Sequence, residues 1–257
     1  MKTSIIIPTF NEKENIEPLF DNIFNVFNKH DIDGELIIVD DDSDDGTADL
    51  VRGLSDRYNV KLIVRKNEKG LASACIKGFE QASGDIFIVM DADLQHPPEK
   101  IPELIDSIEK GADIAIGSRY VDGGSLGDWP VSRKIISKGA SGIANILFKE
   151  IKDVKDKQSG FFGFKKDVID NVELKPKGYK ILLEILVLGN YKEINEVGYR
   201  FGLRKSGESK LKSKIIFSYL LHLMSLFKKS GKLLKLFKIL FVVILLLIIF
   251  AVVVSVI

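Results

Sequence analysis

Two carboxylates and a side-chain amide stand at i, i+2 and i+4 directly after an apolar run: Asp91, Asp93 and Gln95 follow residues 86–90. A strand that opens into a loop there can aim all three oxygens at one point. Hard oxygen ligands with room left for phosphate oxygens suit Mg²⁺ or Mn²⁺, ions that commonly complete their shell with substrate phosphates. The same residues also read as a polar turn closing a strand, with Pro97 and Pro98 starting the next helix. What surrounds the motif decides between the two readings.

A second acidic cluster has the same setting. Ile37, Ile38 and Val39 lead into Asp40, Asp41, Asp42, Ser43, Asp44, Asp45, Gly46 and Thr47. A carboxylate at a strand end accepts hydrogen bonds from base N–H groups and ribose hydroxyls. Asp, Ser and Thr also cap helices and favour the positive end of the helix dipole. Both roles are expected, with 44–47 as cap and Asp41 as ligand group. Lys69 and Gly70 open a helix whose backbone amides could face a phosphate, although a glycine there also serves as a plain turn.

Cations follow. Gly117-Ser118-Arg119-Tyr120 places an arginine at a strand end, Arg133 lies at a helix start, and 202–210 is a glycine-bearing loop with Arg204, Lys205 and Lys210. Singly, each reads as a solvated charge. Grouped with a metal site they imply a polyanionic substrate, because arginine binds phosphate bidentately. Three scattered histidines and one cysteine leave no nucleophilic triad. His96 adjoins the acidic motif, but histidine is a poor Mg²⁺ ligand.

The elements that must position these groups alternate. Strands are predicted at 4–7, 35–39, 61–64, 85–90 and 113–117, with helices at 12–28, 46–58, 71–82 and 98–110. Apolar strands alternating with helices give a mostly parallel sheet covered on both faces, whose ligands sit at the carboxyl ends of the strands. Residues 8–12, Asp40 to Asp42, and Asp91 with Asp93 all fall on that edge. Beyond Arg119 the spacing predicts helices at 131–148 and 179–188 and strands at 160–165 and 193–201. Over 213–229, Lys214, Ser218, His222, Ser225 and Lys229 form a narrow polar stripe on a mainly apolar helix. That helix reads equally as one lying on a bilayer or as one packed on the core.

The chain has 257 residues and a net charge of +1. From Arg200 to Lys238 there are eleven Lys or Arg and one acidic residue, Glu208. A basic block beside an apolar tail points to an anionic lipid surface rather than to nucleic acid. Residues 239–257 are uncharged; at ~1.5 Å per residue they reach ~28 Å, about the hydrocarbon thickness of a bilayer. Lysines at 228, 229, 232, 235 and 238 precede this run, so the positive-inside rule places the preceding domain on the cytoplasmic face of a single-pass membrane protein. The amino-terminal apolar run is too short for a signal peptide. The single Cys75 excludes an internal disulfide and fits a reducing compartment. The expected organisation is a catalytic domain at 1–212, a basic membrane-interface segment at 213–238 and a transmembrane helix at 239–257.

Taken together, Ile6-Ile7-Pro8-Thr9-Phe10-Asn11-Glu12, Val39 to Ser43, Asp91-Ala92-Asp93-Leu94-Gln95-His96-Pro97-Pro98, Gly117 to Tyr120, Ser159 to Phe162, and Arg204 with Gly207 to Lys210 resemble a family 2 glycosyltransferase. Within it they are most similar to the dolichyl-phosphate mannose synthase group. The resemblance spans roughly residues 3 to 212, with the motifs in the family's order. It implies a GT-A α/β fold and inverting transfer of mannose from GDP-mannose to dolichyl or another polyprenyl phosphate, with UDP-glucose as an alternative donor. It also implies Mg²⁺ or Mn²⁺ held by Asp91, Asp93 and Gln95. Pro8, Phe10, Glu12, Val39, Asp41, Ala92 and Arg204 would bind the donor together with Asp91 and Asp93. Arg119, Arg133, Ser137 and Lys210 would grip the acceptor phosphate, and Asp91, Asp93 and Arg119 would carry the catalysis. A different class, a non-catalytic nucleotide-binding membrane scaffold, would have no need of an intact Asp91, Asp93 and Gln95 set. One departure is local: the family commonly has proline where this chain has Lys157.

Overall fold

The computed structural model describes residues 1–127, 129–175, 180–202 and 213–231. Seven strands form one sheet: β1 (Thr3–Thr9), β2 (Gly34–Asp40), β3 (Val60–Val64), β4 (Ile86–Val89), β5 (Ile114–Ser118), β6 (Phe162–Lys165) and β7 (Ile194–Gly198). Their order is β3-β2-β1-β4-β6-β5-β7. All pairings are parallel except those of β6, which runs antiparallel between β4 and β5. The strands and helices expected from the apolar spacing are present, with ends shifted by a few residues. The antiparallel insertion of β6 is what the spacing did not reveal.

Alternation along the strands builds two cores. Ile5, Ile7, Leu36, Ile38, Ile86 and Ile88 face one side, where α1 (Lys13–His30), α2 (Thr47–Leu54) and α4 (Ile101–Glu109) cover them. Ile6, Ile37, Val39, Phe87 and Val89 face the other, under α3 (Leu71–Gln81), α5 (Val131–Leu147), α6 (Ile181–Leu188) and α7 (Ser213–Lys229). Each fully buried Ile, Val or Phe contributes roughly 1.5–3 kcal/mol, so a slip of one residue in any central strand would exchange the two faces and is strongly disfavoured.

The register aligns the chemistry. Pro8 pairs with Val39, Thr9 with Asp40, and Asp40 with Val64. The Met90 amide donates to the Ile6 carbonyl at 3.2 Å, which sets Asp91 beside the end of β1. The ends of β1, β2 and β4 thus share one edge.

The helix over 213–229 packs on the domain. Tyr219, Leu223 and Leu226 are buried in the second core, and the Tyr219 hydroxyl donates to the Ala140 carbonyl of α5 at 3.0 Å. The polar stripe turns inward where it is described: buried Glu184 of α6 faces His222 Nε2 at 3.1 Å and accepts from Lys229 Nζ at 2.8 Å. Leu220, Leu221 and Met224 are left exposed, as are Val131, Ile143 and Ile146 of α5. Core packing therefore holds for one face of α7 where its side chains are described, and Leu220, Leu221 and Met224 make an apolar patch on its outer side. Among the described residues no helix is long and apolar enough to cross a membrane; the apolar run at 239–257 lies outside them.

Candidate active site

At the edge formed by β1, β2 and β3, a buried ion pair organises the acidic cluster. Arg65 follows β3, its amide held by the Asp40 carbonyl at 2.8 Å. Its Nε donates to Asp41 Oδ1 at 2.8 Å, and its Nη2 donates to the same oxygen. Asp41 Oδ2 accepts the Gly70 amide at 2.6 Å, and Arg65 also reaches the Gly70 carbonyl at 3.0 Å and Ser73 Oγ at 2.9 Å. The Gly70 amide is therefore taken by Asp41 and is not offered to a phosphate. Gly70 sits at φ +140°, a backbone conformation that favours glycine. Beside this clamp the exposed Phe10 ring carries Lys69 Nζ at 4.6 Å from its centre.

The rest of the cluster does the capping expected of it. Asp45 accepts the Lys13 amide at 3.0 Å and the Thr47 amide at 2.9 Å, so one carboxylate serves the starts of α1 and α2. Burial raises the Asp45 pKa, but these bonds and that from the Thr47 hydroxyl outweigh it and hold the carboxyl below its usual range. Glu12 accepts from Asn15 Nδ2 at 2.7 Å at the start of α1. Pro8 is half-buried and lines the edge, whereas the Val39 side chain is wholly inside the core. Only the backbone of Val39 can meet a ligand.

The Asp91 motif occupies the adjoining edge, after β4. The Asp91 side chain is 35% exposed, while Asp93 and Ala92 are buried. Asp93 Oδ1 accepts the Gln95 amide at 3.2 Å. Gln95 donates its side-chain nitrogen to the Gly202 carbonyl at 2.9 Å, and Gly202 returns its amide to the Gln95 carbonyl at 2.9 Å. With its nitrogen committed, Gln95 has its amide oxygen left for a ligand. Among the described residues no three His, Cys, Asp or Glu gather into a metal-binding group. Two carboxylates and an amide oxygen suit a hard divalent cation that takes its remaining ligands from a diphosphate and water. Their chemistry fits Mg²⁺ or Mn²⁺.

His96 is buried against this loop. Its ring lies parallel to Phe161 with centres 5.4 Å apart and meets Tyr199 and Phe201 edge-on, both at 5.8 Å. Burial pulls its pKa down to about 4, so the ring is neutral near pH 7. Gly160 passes so close that a Cβ there would lie 2.9 Å from Asp91 Oδ2.

Arg119, just past β5, is buried and answered by Asp156. Nε donates to Oδ2 at 2.7 Å, Nη2 to Oδ1 at 2.8 Å, and the Arg119 amide to Oδ2 at 3.0 Å. Its guanidinium carbon lies 5.0 Å from the Trp129 ring centre and 5.5 Å from that of Phe201. Burial opposes its charge, but Asp156 outweighs burial and raises its pKa. Ser137 lies on α5 with its hydroxyl 3.0 Å from that of Tyr120. The Arg133 side chain, Arg204 and Lys210 lie outside what the structure describes.

The sheet edge thus brings together Pro8, Phe10, Asp41, Asp91, Asp93 and Gln95, with Arg119 tied in through Phe201 and His96. Sequence reasoning missed Arg65 and Asp156 and set His96 aside. The position of Arg65 directly after a strand that borders the Asp cluster was the available signal for it.

Comparison with known proteins agrees with this architecture. The family model "Glycosyl transferase family 2" matches residues 4–172. A dolichol-phosphate mannosyltransferase of Pyrococcus furiosus is 54% identical over 232 residues, 90% of this chain and 65% of that protein. The chain therefore spans slightly less than two thirds of that relative's length. Proteins of the same name from Mycosarcoma maydis and Saccharomyces cerevisiae are each 40% identical, over 88% and 87% of this chain and 79% and 86% of theirs. Among solved structures, glucosyl-3-phosphoglycerate synthase of Mycobacterium tuberculosis with Mn²⁺, UDP-glucose and phosphoglyceric acid superposes with a TM-score of 0.67 at 19% identity, covering 88% of this chain and 80% of that one. At that identity the likeness establishes the fold, a GT-A-like α/β architecture.

Proposed function

The chain belongs to glycosyl transferase family 2, and from that premise we propose that it transfers mannose from GDP-mannose to dolichyl or a related polyprenyl phosphate with inversion at the sugar carbon. The observation that carries this reading is the single sheet edge holding both the Asp41–Arg65 clamp and the hard-oxygen side chains of Asp91, Asp93 and Gln95. Identity of 54% to a dolichol-phosphate mannosyltransferase supports the choice of sugar and acceptor.

The geometry supports a division of labour. Asp41, its charge balanced by Arg65, offers acceptor lone pairs to a base, and Phe10 offers a ring face. Asp91, Asp93 and Gln95 would hold a divalent cation against the donor diphosphate. When bound, that ion would neutralise charge developing on the departing nucleoside diphosphate. Arg119 adds positive charge at the same edge, fixed in place by Asp156. Attack by a sugar-type hydroxyl would call for a general base, whereas a phosphate monoester with a second pKa of ~6 is already anionic at pH 7. The site then needs charge neutralisation more than proton abstraction.

Attachment to the cytoplasmic face of a membrane completes the proposal. The basic block at 200–238, the apolar run at 239–257 and the exposed Ile146 and Met224 side chains support it. The test is to offer labelled GDP-mannose with dolichyl phosphate or with dolichol. Label entering the lipid with the phosphate alone is expected; equal transfer to the free alcohol would contradict a site without a general base.

A further inference from the structure

His96 is one of the most enclosed polar side chains in the molecule, with 1% of its surface exposed. It cannot be a ligand in the open part of the site, yet it is bonded to the residue that is. The backbone amide of Asp91 donates to His96 Nδ1 at 3.1 Å. An Nδ1 that accepts leaves the proton of the neutral ring on Nε2. That nitrogen lies 3.9 Å from Asp91 Oδ2, too far for a direct bond.

The ring has little freedom to move. Phe161 stacks on one face at an interplanar angle of 13°, and Tyr199 and Phe201 close the sides. Gly160 lies against both groups: an added Cβ there would approach Asp91 Oδ2 to 2.9 Å and His96 Cε1 to 3.1 Å. The Asp91 backbone is thus pinned by a nitrogen and its carboxylate is bounded by ring and glycine. Leu94, in the same loop, sits at φ +60°, a conformation that needs such outside support in a residue with a side chain.

We propose that His96 is the positioning residue for the metal site: through Nδ1 it fixes the Asp91 amide, and with it the direction in which the Asp91 carboxylate meets a divalent cation bound with a nucleoside diphosphate. This rests on the metal-dependent transfer proposed above. Partners that orient a metal ligand typically change metal affinity about 10- to 100-fold when removed.

The experiment uses the purified full chain and reads free Mn²⁺ by electron paramagnetic resonance as GDP is held constant, so that no turnover is needed. His96→Asn places an oxygen near the Nδ1 position, His96→Gln moves the acceptor outward, and His96→Leu removes it. The asparagine variant is expected to keep Mn²⁺ affinity within about threefold of the parent, while the glutamine and leucine variants lose about 10- to 100-fold. GDP affinity without metal is expected to stay the same in all of them. Leucine binding Mn²⁺ like the parent would overturn the proposal. So would an equal loss in all three variants together with weakened metal-free GDP binding, which marks a packing role only. Should the leucine variant not fold, the asparagine and glutamine pair decides, and equal affinities in these two would count against the proposal. If the parent chain shows no GDP-dependent Mn²⁺ binding, the proposal falls. A parent that binds Mn²⁺ with GDP but transfers no mannose separates failure of the functional reading from failure of this one.

Discussion

Asp156 holds Arg119 at two points, with Nε to Oδ2 at 2.7 Å and Nη2 to Oδ1 at 2.8 Å, and neither side chain is more than 7% exposed. The carboxylate is itself placed from β7: Glu196 accepts the amides of Lys155 and Asp156 at 2.7 and 2.9 Å. Because β5 and β7 pair with Ile116 opposite Glu196, the strand that leads into the site's cationic residue is fixed by the strand beside it. Asp156→Ala would leave the Arg119 charge buried without a counter-ion, a change that costs about 3–5 kcal/mol. Urea unfolding of the variant should show that loss, and an unchanged midpoint would mean that solvent reaches Arg119.

Asp93 is buried and spends Oδ1 on the Gln95 amide, so its replacement alters a loop rather than a core. Asp93→Ala is expected to abolish metal-dependent transfer and to shift the unfolding midpoint little. Full activity in this variant would remove the proposed metal site.

The cluster at Glu184 gives a pH dependence. Its oxygens face His222 of α7, Lys229 of α7 and the Lys175 amide at 2.8 to 3.1 Å. Burial raises the Glu184 pKa, but the bonds from His222, Lys229 and the Lys175 amide outweigh it and lower it. A carboxyl whose folded pKa lies below its unfolded value stabilises the fold fully above the unfolded pKa of ~4.3. That contribution is lost as the pH falls through the lowered folded value. Glu184→Gln should therefore destabilise by about 1–3 kcal/mol at neutral pH, with the difference shrinking below about pH 4. Paired denaturation curves at pH 7 and pH 3 check this; a difference independent of pH would show that the charge is not what matters.

Removing residues 239–257 is expected to release the chain from membranes in a flotation assay. Retention of the shortened chain would assign attachment to the exposed apolar face of α5 and α7 instead.

The fold was legible where side chains repeat with a short period. Ile5 to Ile7, Ile37 to Val39 and Ile86 to Val89 are apolar because both faces of those strands are covered, and each run ends where the chain turns polar. The acidic ends of β2 and β4 followed from the same pattern. Pairings across the chain were not legible. Arg65 meets Asp41 from 24 residues away, Asp156 meets Arg119 from 37, and His222 meets Glu184 from 38. No periodicity records such distances, so Arg119 read as a phosphate ligand without its carboxylate partner, and the polar stripe of α7 left a bilayer helix and a core-packed helix equally open. His96 was passed over because its worth lies in the Asp91 amide that its Nδ1 accepts, which composition does not show.

The most direct test of the central claim combines purified protein, Mn²⁺ and dolichyl phosphate with radiolabelled GDP-mannose or UDP-glucose, and counts label in the organic phase. Label is expected from GDP-mannose alone, lost when Asp93 is replaced. Label from UDP-glucose alone would contradict the donor assignment, and no label from either, with nucleotide binding intact, would contradict the transfer itself.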